Sequence, residues 1–211
     1  MSNPELIVDE FCIICTSARN DYDLYRSLFE IDRRNLGLYT SIAPMCFGDI
    51  GRILHENLYI QFSKITDPAK TGKKLNLTTN YLVEEIPWPN ALRQKLREVN
   101  DRLMAFRQLI EPARSKRIAH IDFLAQVERW DNLGAFQEGA EVQFLQDLQT
   151  FINIAYGHLH NGAHRPIAVA MSTDTYKLIR ALEKSVVFDR CPKCTSGERA
   201  IAVLDYEDRS A

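Results

Sequence analysis

The sequence predicts an all-α protein, and three observations carry that prediction. Apolar residues recur at intervals of three and four along most of the chain, the period of a helix with one buried face. The periodic stretches are separated by stops such as Thr66-Asp67-Pro68, Pro87-Trp88-Pro89 and Asn161-Gly162. No convincing run of alternating strand residues occurs before residue 186. The expected architecture is a helical bundle over 1–186, followed by a short irregular tail over 187–211.

The N-terminal region is helical by pattern over roughly 4–17 and 21–36, though less cleanly than the rest of the bundle. Phe47, Ile50, Leu54, Leu58, Phe62 and Ile65 mark one apolar face from 47 to 65. Pro68 ends that helix, because proline disfavours helical geometry in the residue before it. The polar, basic stretch Ala69 to Leu75 reads as a loop. A short helix is expected from Thr78 to Ile86, and Asn90 suits the N-cap of the next element. There Leu92, Leu96, Val99, Leu103, Phe106 and Ile110 alternate spacings of four and three, a bundle stripe. Pro112 is expected to kink or restart this helix, since it lacks a backbone donor and crowds the preceding turn. Asp131 to Gly134 reads as a turn. A helix over about 139–160 comes next, carrying Leu145, Leu148, Ile152, Ala155 and Leu159, and Asn161-Gly162 stops it. Thr173 or Asp174 caps a last helix through about Phe188, and Ala200 to Leu204 suits one short strand.

Composition narrows the functional classes. A chain of 211 residues that is 45% hydrophobic suits one domain, or one with a small appendage, and can bury a real core. A net charge of -2 provides no global field for nucleic acid or acidic membranes. Acids stand where a secretory signal would carry basic residues, and no apolar run reaches the roughly 18 residues of a membrane helix. The five cysteines are odd in number, so reduced thiols in a cytoplasmic protein are expected. Cys12 and Cys15 have C-x-x-C spacing but lie in an apolar helical run, which suits two buried small hydrophobes.

Charge is distributed unevenly. Between Asn90 and His120, eight basic residues face three acidic ones, a local excess of five. Such a strip is the footprint of a phosphate-backbone binder, although charge runs are also ordinary solvated faces. It contains Arg102, Arg107, Lys116 and Arg117 as candidate contacts to a nucleic-acid backbone, and it ends in Arg114 and His120.

The string ARSKRIAHID, residues 113–122, resembles the R-x-x-x-x-x-H signature of the HEPN (higher eukaryotes and prokaryotes nucleotide-binding) superfamily. The likeness is nearest to its phage abortive-infection branch, where R-N-K-x-x-A-H-x-D is typical. It extends upstream to Lys64-Ile65-Thr66-Asp67-Pro68 and Asn76-Leu77-Thr78, covering roughly 45–125 and more loosely 20–160. The resemblance implies a helical bundle that dimerises and brings two motifs to one cleft. It also implies metal-independent cleavage of RNA in antiviral or toxin-like defence, and a partner such as an antitoxin or regulatory protein. Some relatives have lost catalysis and only bind RNA or protein. This chain has Ser115 where active members usually carry Asn, Asp or His.

The chemistry these residues suit needs no cofactor. RNA carries its own nucleophile, and an imidazole titrating near about 6.5 accepts the 2′-hydroxyl proton at physiological pH. A permanently charged guanidinium holds the phosphate oxygens as a fork. His120 is thus the expected general base or acid and Arg114 the phosphate clamp. On a straight helix the two lie about 120° apart and Arg117 about 60° from His120, so a kink or a dimer interface is needed to converge them. Asp122 either orients His120 or ends the local turn. A separate knuckle, Cys191-Pro-Lys-Cys194, presents two thiolates suited to half of a structural zinc site. His160 and His164, or a second copy's cysteines, are the candidates for the remaining ligands.

Overall fold

A computed structural model describes residues 3–32, 34–115, 137, 139–167 and 172–189. The described residues form seven helices and one small hairpin. These are α1 (Pro4–Phe29), α2 (Arg34–Ile42), α3 (Pro44–Ile65), β1 (Lys70–Thr71), β2 (Lys74–Leu75), α4 (Thr79–Glu85), α5 (Asn90–Ala113), α6 (Ala140–Leu159) and α7 (Ser172–Asp189). The all-α prediction holds. The chain divides into two compact units, Met1–Tyr22 with Arg52–Val169 and Asp23–Gly51 with Ala170–Ala211.

The first unit is a bundle whose core comes mainly from four helices, with Leu82 and Val83 of α4 adding to it. Val8, Phe11, Cys12, Cys15, Ala18 and Tyr22 of α1 are buried, as are Leu58, Phe62 and Ile65 of α3. The α5 stripe buries Leu96, Val99, Leu103, Phe106 and Ile110, and α6 buries Phe144, Leu145, Leu148, Phe151, Ile152 and Ala155. Each fully buried large apolar side chain contributes about 1.5–3 kcal/mol relative to exposure. At the centre Phe62 meets Phe144 with ring centroids 4.8 Å apart and Phe106 at 6.0 Å, and Phe106 meets Phe144 at 4.9 Å. Phe11 packs edge-on against Phe151 at 6.1 Å. Cys12 and Cys15 are unpaired and fully buried, as their apolar setting implied. Burial pushes the Cys12 thiol up to about 11, against the pull of Arg165, and pushes Cys15 well above the usual thiol range.

In the second unit Tyr39 stacks on Phe47 at 4.1 Å, and its hydroxyl donates to the Leu28 carbonyl at 3.2 Å. The Phe29 ring lies 3.4 Å from where a side chain on Gly51 would begin, an ordinary van der Waals distance.

Several boundaries differ from expectation. The N-terminal region forms one helix to Phe29, not two broken near residue 20, because the buried stripe continues through Ala18 and Tyr22. The break falls at Asp32, whose carboxylate accepts from the Arg34 backbone N–H at 3.0 Å. The segment after Pro68 is a two-residue antiparallel hairpin with Lys70 opposite Leu75, turning at Gly72 with φ of 61°. Its shortness and polar composition hide it from any strand pattern. The N-cap position of α5 is Pro89, with Asn90 already helical. The helix also runs through Pro112 to Ala113, and a wide π-type turn follows at Arg114 and Ser115. As expected, α6 stops at Asn161 and Gly162, both with positive φ. None of the described helices is long and apolar enough to cross a membrane.

Candidate functional site

The site is built on the C-terminal ends of α3 and α5. When α3 stops at Pro68, its last carbonyls lose their helical donors and need others. The Thr66 hydroxyl donates to the Phe62 carbonyl at 2.9 Å, and the Asn80 amide donates to the carbonyls of Thr66 and Asp67 at 3.1 and 3.0 Å. The Asn76 amide reaches the Pro68 carbonyl at 2.8 Å, and buried Asn100 of α5 donates to Asn80 Oδ1 at 2.8 Å. Thr78 caps α4 by accepting from the Tyr81 N–H at 3.2 Å. The strings around Asp67 and Asn76 therefore form one capping network, which fixes where the Asp67 carboxylate stands.

That carboxylate faces α5. Arg107 donates to Asp67 Oδ1 at 2.7 Å and to the Ser63 carbonyl at 2.8 Å. Arg114, seven residues on and thus on the same face, stands 4.0 Å from Asp67 Oδ2. Glu111 lies between them. Its Oε1 is 3.4 Å from Arg114, and its Oε2 is 3.2 Å from Arg107, an ion pair without hydrogen-bond alignment. Two arginines and two carboxylates thus close a ring of alternating charge, in which each carboxylate presents one oxygen to each arginine. The members are unequally held. The Arg107 side chain is 12% exposed, and Arg114 is 32% exposed with the longer ion-pair distances.

Arg102 does not join this ring. It binds Asp147 of α6 at 2.7 Å, and that carboxylate is only 8% exposed. It lies about 18 Å from Arg114 along α5 by the helical rise, so the two cannot grip one phosphate. The excess of five charges along 90–120 shrinks by two once Asp67 and Asp147 are set against it. A phosphate seeking Arg102 or Arg107 must compete with a bound carboxylate. The Ser115 hydroxyl donates to the Glu111 carbonyl at 2.8 Å. Lys116, Arg117, His120 and Asp122 lie outside the described residues, as do Cys191 and Cys194. Among the described residues no three metal-ligating side chains gather. His160 instead stacks on Tyr156, with ring centroids 4.0 Å apart.

Asp67 and Glu111 escape sequence reasoning to different degrees. Glu111 is findable, since it stands four residues after Arg107 and three before Arg114, the spacing of helical ion pairs. Asp67 reads in the sequence as part of a helix stop, and nothing in a linear sequence joins it to an arginine 40 residues away.

A helical bundle carrying an arginine at a helix end and a histidine six residues later is the arrangement expected of a protein of HEPN type. The chain belongs to the HEPN_AbiU2 family (AbiU2), whose profile matches residues 2–185, and this HEPN family is associated with abortive infection. The match reaches well beyond the stretch around 45–125 where the motifs are strongest. No curated protein and no solved structure matches the chain.

Proposed function

We propose that the protein is a metal-independent endoribonuclease that acts as a homodimer in antiviral or toxin-like defence in the cytoplasm. The observation that carries this reading is the state of Arg114. It sits at the wide turn ending α5, a third exposed, with its carboxylates at 3.4 and 4.0 Å, whereas Arg102 and Arg107 are each held at 2.7 Å. A guanidinium so placed can turn to a phosphate at small cost, and the motif histidine follows six residues later.

The reaction balances without a metal. The 2′-oxygen attacks phosphorus while His120 takes its proton, and the P–O5′ bond breaks. A second imidazole, from the other copy's motif, gives a proton to the departing 5′-oxygen. Arg114 holds the non-bridging oxygens as charge builds on them. The products are a 2′,3′-cyclic phosphate and a 5′-hydroxyl. An oligoribonucleotide with one 2′-deoxy residue at a mapped cleavage position should resist cutting there. Continued cutting at that position would exclude attack by the 2′-oxygen.

One observation favours a second reading, a catalytically silent dimer that binds RNA or protein. The Ser115 hydroxyl donates its proton to the Glu111 carbonyl, so that proton is not offered to a substrate. In that case RNA binds with a salt-dependent affinity and remains intact.

A further inference from the structure

We infer that Asp67 and Glu111 are positioning residues for Arg114, and that Arg107 makes their hold on it reversible. The inference rests on the reading of Arg114 as the phosphate clamp. In the closed ring, Asp67 presents Oδ1 to Arg107 and Oδ2 to Arg114, and Glu111 presents Oε2 to Arg107 and Oε1 to Arg114.

An arginine at a helix end has several rotatable bonds, and a clamp that must first find its geometry loses rate. Two carboxylates flanking the Arg114 guanidinium restrict it before any phosphate arrives. Alone, they would also trap it, because withdrawing the arginine would strand two half-buried charges. Arg107 removes that cost. It contacts Asp67 at 2.7 Å and Glu111 at 3.2 Å and is anchored by the Ser63 carbonyl at 2.8 Å. When Arg114 turns to a phosphate, both carboxylates keep a counter-charge. The distances follow the same division of labour, short at the anchor and long at the clamp. Asp67 is itself fixed through its backbone, whose carbonyl accepts from Asn80, so the reference point does not drift.

Asp67→Asn removes one charge from the ring and leaves the backbone cap in place. Such a variant loses positioning and also loses a repulsion toward phosphate, so kcat and KM should separate. We expect kcat to fall about three- to fivefold, with KM unchanged or up to threefold lower, and Asp67→Glu to regain part of the loss. Glu111→Gln should show the same split and serves if Asp67→Asn folds poorly. Unchanged kcat in both folded variants, or KM rising in step with lost stability, would overturn the inference. A second readout does not depend on cleavage. In 15N-labelled protein the Arg114 guanidinium, assigned by difference with Arg114→Lys, should show hindered rotation that is relieved in either variant. If the native protein cuts no RNA, the nuclease reading fails, and this spectrum still decides the positioning. Identical Arg114 signals in native and variant proteins would sink it.

Discussion

Replacing Phe62 with alanine should destabilise the protein by about 3–5 kcal/mol, the cost of emptying a large aromatic site in a packed core. The ring is buried between Phe106 and Phe144, so the substitution removes two aromatic pairings as well as area. With total stability of roughly 5–15 kcal/mol for a typical domain, that is a large share. The site should suffer with the core. Phe62 is five residues before Asp67, and Phe106 immediately precedes Arg107, so this aromatic cluster sets the separation of the two helix ends. Denaturant unfolding followed by far-UV circular dichroism measures the effect. A loss below about 1 kcal/mol would mean that the cluster does not hold the bundle together.

Replacing Arg114 with alanine should have the opposite profile, a collapse of activity in a protein of nearly native stability. Removing a preorganised donor from a developing oxyanion costs about a hundred- to a thousandfold in rate. The ion pairs that Arg114 makes within the protein are long and partly exposed, and pairs of that kind are worth about 0–1 kcal/mol. Arg114→Lys keeps the charge and loses the planar fork, so it should fall between the native protein and alanine. Cleavage rates and unfolding midpoints measured on the same preparations test this. An alanine variant that cuts RNA at the native rate would remove Arg114 from the mechanism.

The fold was legible where periodicity reports burial, which it does along α5 and α6. Along α3 it does so only over the second half of the stripe, where Leu58, Phe62 and Ile65 are buried and Ile50 before them is exposed. The stripe from Leu96 to Ile110 is the buried face of α5, and Leu145, Leu148, Ile152 and Ala155 are buried in α6 as their spacing implied. Breaks were harder to place. Pro112 marks a weak point in α5, yet the helix continues past it and widens two residues later, where the Ser115 hydroxyl ties the turn back to the Glu111 carbonyl. The hairpin at Lys70 to Leu75 is too short to carry a period.

The site was legible only along the chain. Arg114 could be singled out from its motif, and Glu111 from its helical spacing. The meaning of the basic strip depended on residues that sequence distance conceals. Asp67 and Asp147 lie 40 and 45 positions from the arginines they bind, and together they offset two of the five excess charges of what looked like a phosphate-binding face. Charge counted along a helix overstates the field wherever another helix brings acids to it.

The nuclease reading depends on cleavage of RNA through its 2′-hydroxyl, with His120 as the proton carrier and no metal. Incubating a mixed RNA pool with native protein or with His120→Ala in excess chelator, and identifying the new ends, decides the matter. Native protein should cut the pool and leave 2′,3′-cyclic phosphate ends, and the variant should do neither. Intact RNA in both reactions, from folded protein that still binds it, would contradict the nuclease and leave a silent RNA-binding dimer.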